Sequence, residues 1–146
     1  MNIDTKYFGN IEIDEDEKLI FPNGLFGFEN NKSFFILAFD DSDKDILCLQ
    51  SADEPYLAFV IINPYSIVST YEPVLSKYDL KDLKADNNIS LIYYSLAVVH
   101  DEFKNTTINL KCPIVLNVEK KLAKQVILED STYSLRHPIM TPNKEE

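Results

Sequence analysis

Glycine is nearly missing from this chain, with three in 146 residues. Gly-rich flexible linkers are thereby excluded, and backbone shapes that favour glycine are confined to a few places. Arginine is scarcer still, Arg136 being the single one. A nucleic-acid face needs Lys and Arg interleaved with stacking aromatics, and no stretch offers that. The two cysteines, Cys48 and Cys112, lie in separate apolar runs with no C-x-x-C, so buried free thiols are expected rather than a disulfide, a metal site or a nucleophile. The opening Met-Asn-Ile-Asp-Thr-Lys has an acid at its fourth residue and no apolar h-region, and no apolar run approaches membrane-span length. A cytoplasmic location without a membrane partner is the simplest expectation. Also missing are G-x-S-x-G, H-E-x-x-H, G-x-x-x-x-G-K and G-x-G-x-x-G, so no common catalytic or phosphate-cradling motif is present.

Acid is abundant instead. Twenty-four Asp and Glu against fourteen Lys and Arg give a formal charge of −10. That field disfavours direct contact with nucleic acid or an anionic membrane and makes a basic protein the natural counterpart, although acidity also simply keeps a protein soluble. The acids cluster in two segments expected to be exposed loops: Asp14, Glu15, Asp16 and Glu17, then Asp40, Asp41, Asp43 and Asp45. The spacing Asp41-x-Asp43-x-Asp45 suggests a calcium loop but fails, because the sixth position is Ile46 rather than glycine and the twelfth is Ala52 rather than glutamate. His100 borders Asp101 and Glu102 and reads as a surface histidine. The rival function class is a small metal-binding or hydrolytic domain using His100, His137 or the acidic loops.

The apolar pattern is that of a mainly β domain spanning 1–139, followed by a flexible tail at 140–146. Residues 46–49 and 56–62 are short apolar runs separated by the polar 50–55, which reads as a buried hairpin ended by Pro64. An amphipathic hairpin is expected over 3–13 with its turn at Gly9-Asn10, and a short strand over 18–21. Segment 22–28 gathers Pro22, Gly24 and Gly27 into a structured turn anchored on the core by Leu25, Phe26 and Phe28; alternatively Phe26 stands exposed as a partner contact. Segment 33–39 reads as a central strand. Ser76 followed by Asp79, with Leu80 and Leu83, predicts one short capped helix over 76–84. Segment 89–99 reads as a long strand buried on both faces that bends to serve more than one sheet. Residues 108–118 alternate as a half-exposed strand with a bulge or edge at Pro113, and 124–129 forms a second hairpin strand. For Arg136 a structural ion pair is expected, with a partner contact as the alternative.

Four collinear segments together resemble the FliW flagellar assembly factor family: Lys6-Tyr7-Phe8-Gly9 with Ile11-Glu12-Ile13; the run from Phe21 through Pro22-Asn23-Gly24-Leu25-Phe26-Gly27-Phe28 to Glu29; Leu49-Gln50-Ser51 through Leu57-Ala58-Phe59-Val60 to Pro64; and Pro113-Ile114-Val115-Leu116-Asn117 through Gln125-Val126-Ile127-Leu128 to Tyr133-Ser134-Leu135-Arg136-His137-Pro138. The chain departs from the family pattern at Phe26, where proline is usual. The resemblance implies a single-domain, largely antiparallel β-barrel-like fold with one or two short helices, no catalysis and no cofactor. It further implies two protein partners, the RNA-binding translational repressor CsrA and flagellin, in a switch in which flagellin acts as a sequestering partner. A basic RNA-binding partner makes the two acidic segments, with Phe26 and Arg136, the residues expected to meet partners.

Overall fold

The computed structural model describes residues 1–86 and 90–140. Strands β1 (Asn2–Asp4) and β2 (Asn10–Glu12) pair antiparallel as Ile3 opposite Ile11, so the expected opening hairpin forms. Its turn is longer than Gly9-Asn10. The Thr5 hydroxyl donates to the Gly9 carbonyl and accepts from the Phe8 N–H, closing residues 5–9. There follow β3 (Leu19–Ile20), β4 (Ser33–Asp40), β5 (Asp43–Ser51), β6 (Ala58–Ile62), helix α1 (Lys77–Asp82), β7 (Leu91–Val98), β8 (Thr107–Ile108), β9 (Ile114–Asn117), β10 (Leu122–Gln125) and β11 (His137–Pro138).

Seven of these strands close a barrel in the order β7-β6-β5-β4-β3-β10-β9, with β9 pairing back onto β7. Closure removes most of the exposed sheet edge that a small open sheet would carry. The expected hairpin over 45–65 is present as β5–β6, with Leu47 opposite Ile61 and Leu49 opposite Phe59. These residues share the inward face with Phe34, Ile114, Leu116 and Ala123 and fill the barrel. A second apolar cluster lies on the outer face. Ile62, Val115, Val126 and Leu128 are covered there by Tyr71 from the crossover after β6 and by Leu83 from the end of α1. The barrel wall is thus buried on both sides over part of its circumference, which is why apolar residues are so frequent in its strands.

The helix is where it was expected. Ser76 Oγ accepts from the Asp79 N–H and the Asp79 carboxylate accepts from the Ser76 N–H, a complete capping box. Two strand expectations are corrected. The strand expected over 89–99 is eight residues, Leu91–Val98, with only Ser95 fully buried; residue 89 lies outside the described residues. It does serve several neighbours, pairing with β9 through 91–94, with β6 through 95–96 and with β8 through 97–98. The half-exposed strand expected over 108–118 is two strands separated by residues 109–113, and all four β9 residues are buried: Ile114 and Leu116 face the barrel interior, Val115 lies under the outer cluster and Asn117 donates to the Leu83 carbonyl. Near the end of the expected domain, His137 and Pro138 pair with Ile108 and Thr107. Residues 141–146 of the expected tail lie outside the described residues.

Candidate docking surfaces

The acidic segment 14–17 is not a loose loop. Asp14 caps the 3-10 turn Glu15–Glu17 by accepting the Asp16 N–H, and Glu15 pairs with Lys18 at 3.2 Å. The acidic segment 40–45 is tighter than expected as well. Asp40 and Asp43 are strand residues paired directly opposite one another, leaving Asp41 and Ser42 as a two-residue turn. Asp40 accepts both the N–H and the hydroxyl of Ser42, at 2.9 and 2.8 Å, and these bonds hold its carboxyl below the ordinary range. Asp43 accepts the Asp45 N–H, and Asp45 accepts from the Asn63 side chain. Much of the acidity thus also ties its own turns, and the two acidic segments share no hydrogen bond among the described residues.

The tip of the β4–β5 hairpin carries something the sequence reading missed. Phe39, beside Asp40, packs 5.7 Å from Tyr7 and 5.4 Å from Phe8 between ring centroids, and Tyr7 and Phe39 are 48% and 40% exposed. An exposed aromatic cluster therefore adjoins the acids. The family motif at 6–9 brings two of these rings, but nothing local in the sequence joins them to Phe39.

Phe26 lies elsewhere. Of the three side chains expected to anchor the glycine turn, Leu25 alone is buried; Phe28 lies edge-on to Phe59 and Phe26 is 49% exposed. The turn is held instead by its backbone, the Phe26 N–H donating at 3.0 Å to Oε1 of the buried Gln125. Phe26 lines a groove of about 880 Å³ with Val74, Tyr78, Ile127 and Tyr133. Val74 and Tyr78 are 81% and 79% exposed, and with Phe26 and Ile127 they gather exposed apolar surface at one place. The sequence carried one sign of this groove: Ile127 is apolar on the parity opposite Val126 and Leu128. One wall is fixed by Lys124, whose ammonium bonds Asp79 and Asp82, each at 2.7 Å. Burial opposes ionisation of Asp79, but the bonds from Lys124 and Ser76 outweigh it and bring its carboxyl below the ordinary range. Burial likewise opposes the Lys124 charge, and its two carboxylate bonds outweigh that too, raising it. The floor is a tyrosine ladder: Tyr133 lies 4.8 Å from Tyr71, its hydroxyl accepts the Glu72 N–H, and Tyr71 donates to the Leu110 carbonyl at 2.7 Å.

The remaining nominated residues are dispersed. The structural ion pair expected of Arg136 is not formed among the described residues, where its guanidinium is exposed. His100 is exposed beside Asp101 and Glu102, while His137 is a half-buried strand residue. No group of three or more metal-binding side chains occurs among the described residues. Cys48 and Cys112 are buried free thiols, as expected, and burial pushes the Cys48 thiol up to about 11.

Comparison with known proteins agrees with this architecture. The sequence matches the family described as FliW protein over residues 2–139. It is 41% identical over 137 residues to the flagellar assembly factor FliW of Geobacillus sp. strain WCH70, covering 94% of each chain. To that of Oceanobacillus iheyensis it is 38% identical over 146 residues, covering 100% of this chain and 99% of the relative. A crystal structure of the flagellar assembly factor FliW superposes with a TM-score of 0.90 at 38% identity, covering 97% of this chain and 98% of that one. By sequence over nearly its whole length and by fold, the chain belongs to the FliW family of flagellar assembly factors.

Proposed function

We propose that this protein is a non-catalytic, cytoplasmic regulator of flagellar assembly that docks in turn to the RNA-binding repressor CsrA, relieving repression of flagellin mRNA translation, and to flagellin, which sequesters it. The observation that carries the reading is the family match across 2–139. The charge pattern supports it. A protein of formal charge −10 is attracted to the basic surface an RNA binder must present, and once docked it opposes phosphate approaching beside it. Screening limits this to acids within about 8 Å of the contact at physiological salt. At the β4–β5 tip, Asp40, Asp41 and Asp43 supply charge beside the exposed rings of Tyr7 and Phe39, which supply apolar anchors. Direct nucleic-acid binding forms no part of this reading.

Titration of the purified chain with CsrA and with flagellin tests it, by calorimetry or size-exclusion chromatography. A saturable complex with each is expected; absence of both complexes overturns the function. The assignment of the tip is tested separately by reversing Asp40, Asp41 and Asp43 to Lys. Association with CsrA should slow, more so at low salt, and an unchanged on-rate removes the tip from the interface.

A further inference from the structure

We propose that the groove beside Ile127 is a strand-addition site, taking an extended, positively charged segment of a partner protein along the open edge that follows β10. The inference concerns where and how a partner docks, and rests on the reading of this chain as a protein-docking regulator.

The register supplies the first argument. The β9–β10 pairing continues past Gln125, because the Val126 N–H donates to the Pro113 carbonyl at 3.0 Å and the Leu128 N–H to the Lys111 carbonyl at 2.9 Å. Backbone groups alternate sides along an extended chain, so the N–H and C=O of Ile127 face the other way, into the groove. Neither has a hydrogen-bond partner among the described residues. The strand that would have covered this edge is β3, and it pairs with β10 at Leu122 alone; the next amide, that of Phe21, faces β4 and donates to the Lys32 carbonyl.

Such an edge is normally blunted by a free lysine, a proline or a bulge. Here the nearby lysine, Lys124, is committed to Asp79 and Asp82, and the edge residue is an isoleucine 49% exposed. Phe26, Val74 and Tyr78 stand around it as exposed surfaces for the alternate side chains of an added strand. A helix would fill the groove but leave the Ile127 amide and carbonyl unsatisfied, since its own backbone is already paired.

Charge selects the segment. Glu72, Glu129 and Asp130 line the groove and make no ion pair among the described residues, so an incoming strand is favoured if it carries Lys or Arg. The same carboxylates disfavour a second copy of this chain, whose formal charge is −10.

The test uses the intact protein labelled with nitrogen-15 and three capped ten-residue probes: alternating Lys-Val, alternating Glu-Val, and a Lys-Val peptide with a methylated backbone. The Lys-Val probe is expected to shift resonances of Phe26, Tyr78 and Ile127 and to slow exchange of the Ile127 amide about tenfold or more. The Glu-Val and methylated probes should bind at least about tenfold more weakly. Glu129→Lys with Asp130→Lys, and separately Tyr78→Ala, change exposed side chains and should each weaken the Lys-Val probe severalfold. Shifts confined to the acidic segments around 14–17 and 40–45, without protection at Ile127, overturn the proposal, as does equal binding of the methylated probe. Failure of CsrA and flagellin to bind would strike the function and leave the groove result standing. Binding of those proteins unaffected by the groove variants would do the reverse.

Discussion

Gln50 → Leu is expected to cost about 3–5 kcal/mol of folding stability, as the sum of a few net hydrogen bonds and one amide left without an acceptor. Gln50 is fully buried on the outer face of β5. Its Oε1 accepts the Lys6 N–H at 3.0 Å, tying the segment after β1 to the barrel. Its Nε2 faces four carbonyls, of Ser51, Glu54, Pro55 and Leu57, between 3.1 and 3.4 Å. An amide nitrogen has two hydrogens, so two of those carbonyls are satisfied at a time and the side chain acts as a hub for the β5–β6 turn. Leucine matches the volume and removes all of it. Urea unfolding followed by circular dichroism measures the loss, and a decrease below about 1 kcal/mol with unchanged m-value would refute the reasoning. Gln50→Glu sharpens the test. It keeps the acceptor for Lys6 but aims a carboxylate at carbonyl oxygens, so burial raises the glutamate's folded pKa above its unfolded value of about 4.3. Its penalty is therefore small below that value and grows as pH rises toward the folded pKa, so the gap to the parent protein should widen between pH 4 and pH 7.

The Lys124 bridge makes a second pH prediction. Asp79 is depressed from 3.8, so its contribution is present above 3.8 and lost as pH falls through the lower folded value; Lys124 is raised from 10.5, so its contribution is present below 10.5 and lost as pH rises through the higher one. Lys124→Met should thus cost about 1–3 kcal/mol across the neutral range, with the difference shrinking at both extremes, as read by thermal melts over pH. Gly24→Ala should cost about 2–4 kcal/mol in urea unfolding, because at φ +65° a methyl would sit 2.5 Å from the Phe28 carbonyl oxygen and 2.7 Å from the Glu29 backbone. Gly27→Ala, with φ +85° and open space around it, should cost about 1 kcal/mol by the same assay. The hydroxyls of Ser95 and Thr106 are buried without a partner among the described residues, so Ser95→Ala and Thr106→Val should be neutral or raise stability by about 1 kcal/mol. A clear loss in both would reveal bonds to ordered water.

The parts of this fold legible in the sequence are those written in neighbouring residues. Ser76 and Asp79 announce α1 because a capping box is complete within four residues, and β5–β6 shows because its two apolar runs flank a short polar turn. Closure of β7 onto β9 is not legible in that way, since Tyr93 opposite Val115 is a long-range pairing with no local signature. The same blindness produced the error over 108–118. Val115 and Asn117 look solvent-facing by parity but are buried under the outer cluster, which alternation along one strand does not reveal. At the candidate surfaces, charge was visible and its engagement was not: Asp14, Asp40 and Asp43 are partly spent on their own turns. The sequence around Phe26 suits an anchor and an exposed contact equally, and the structure exposes it.

Neighbouring antiparallel strands reverse direction at every step around a barrel, and seven reversals do not return to the starting direction. Like a ring with an odd number of alternating spins, this barrel must contain a mismatched bond, and it lies between β3 and β10, which run parallel. The mismatch is kept short, to the single registered pair Leu122 with Ile20. Its brevity leaves the rest of β10 and the residues after it without a neighbour on that side. Parity demands one parallel seam somewhere in the ring, and here that seam, one registered pair long, lies on the same strand as the open edge at Ile127.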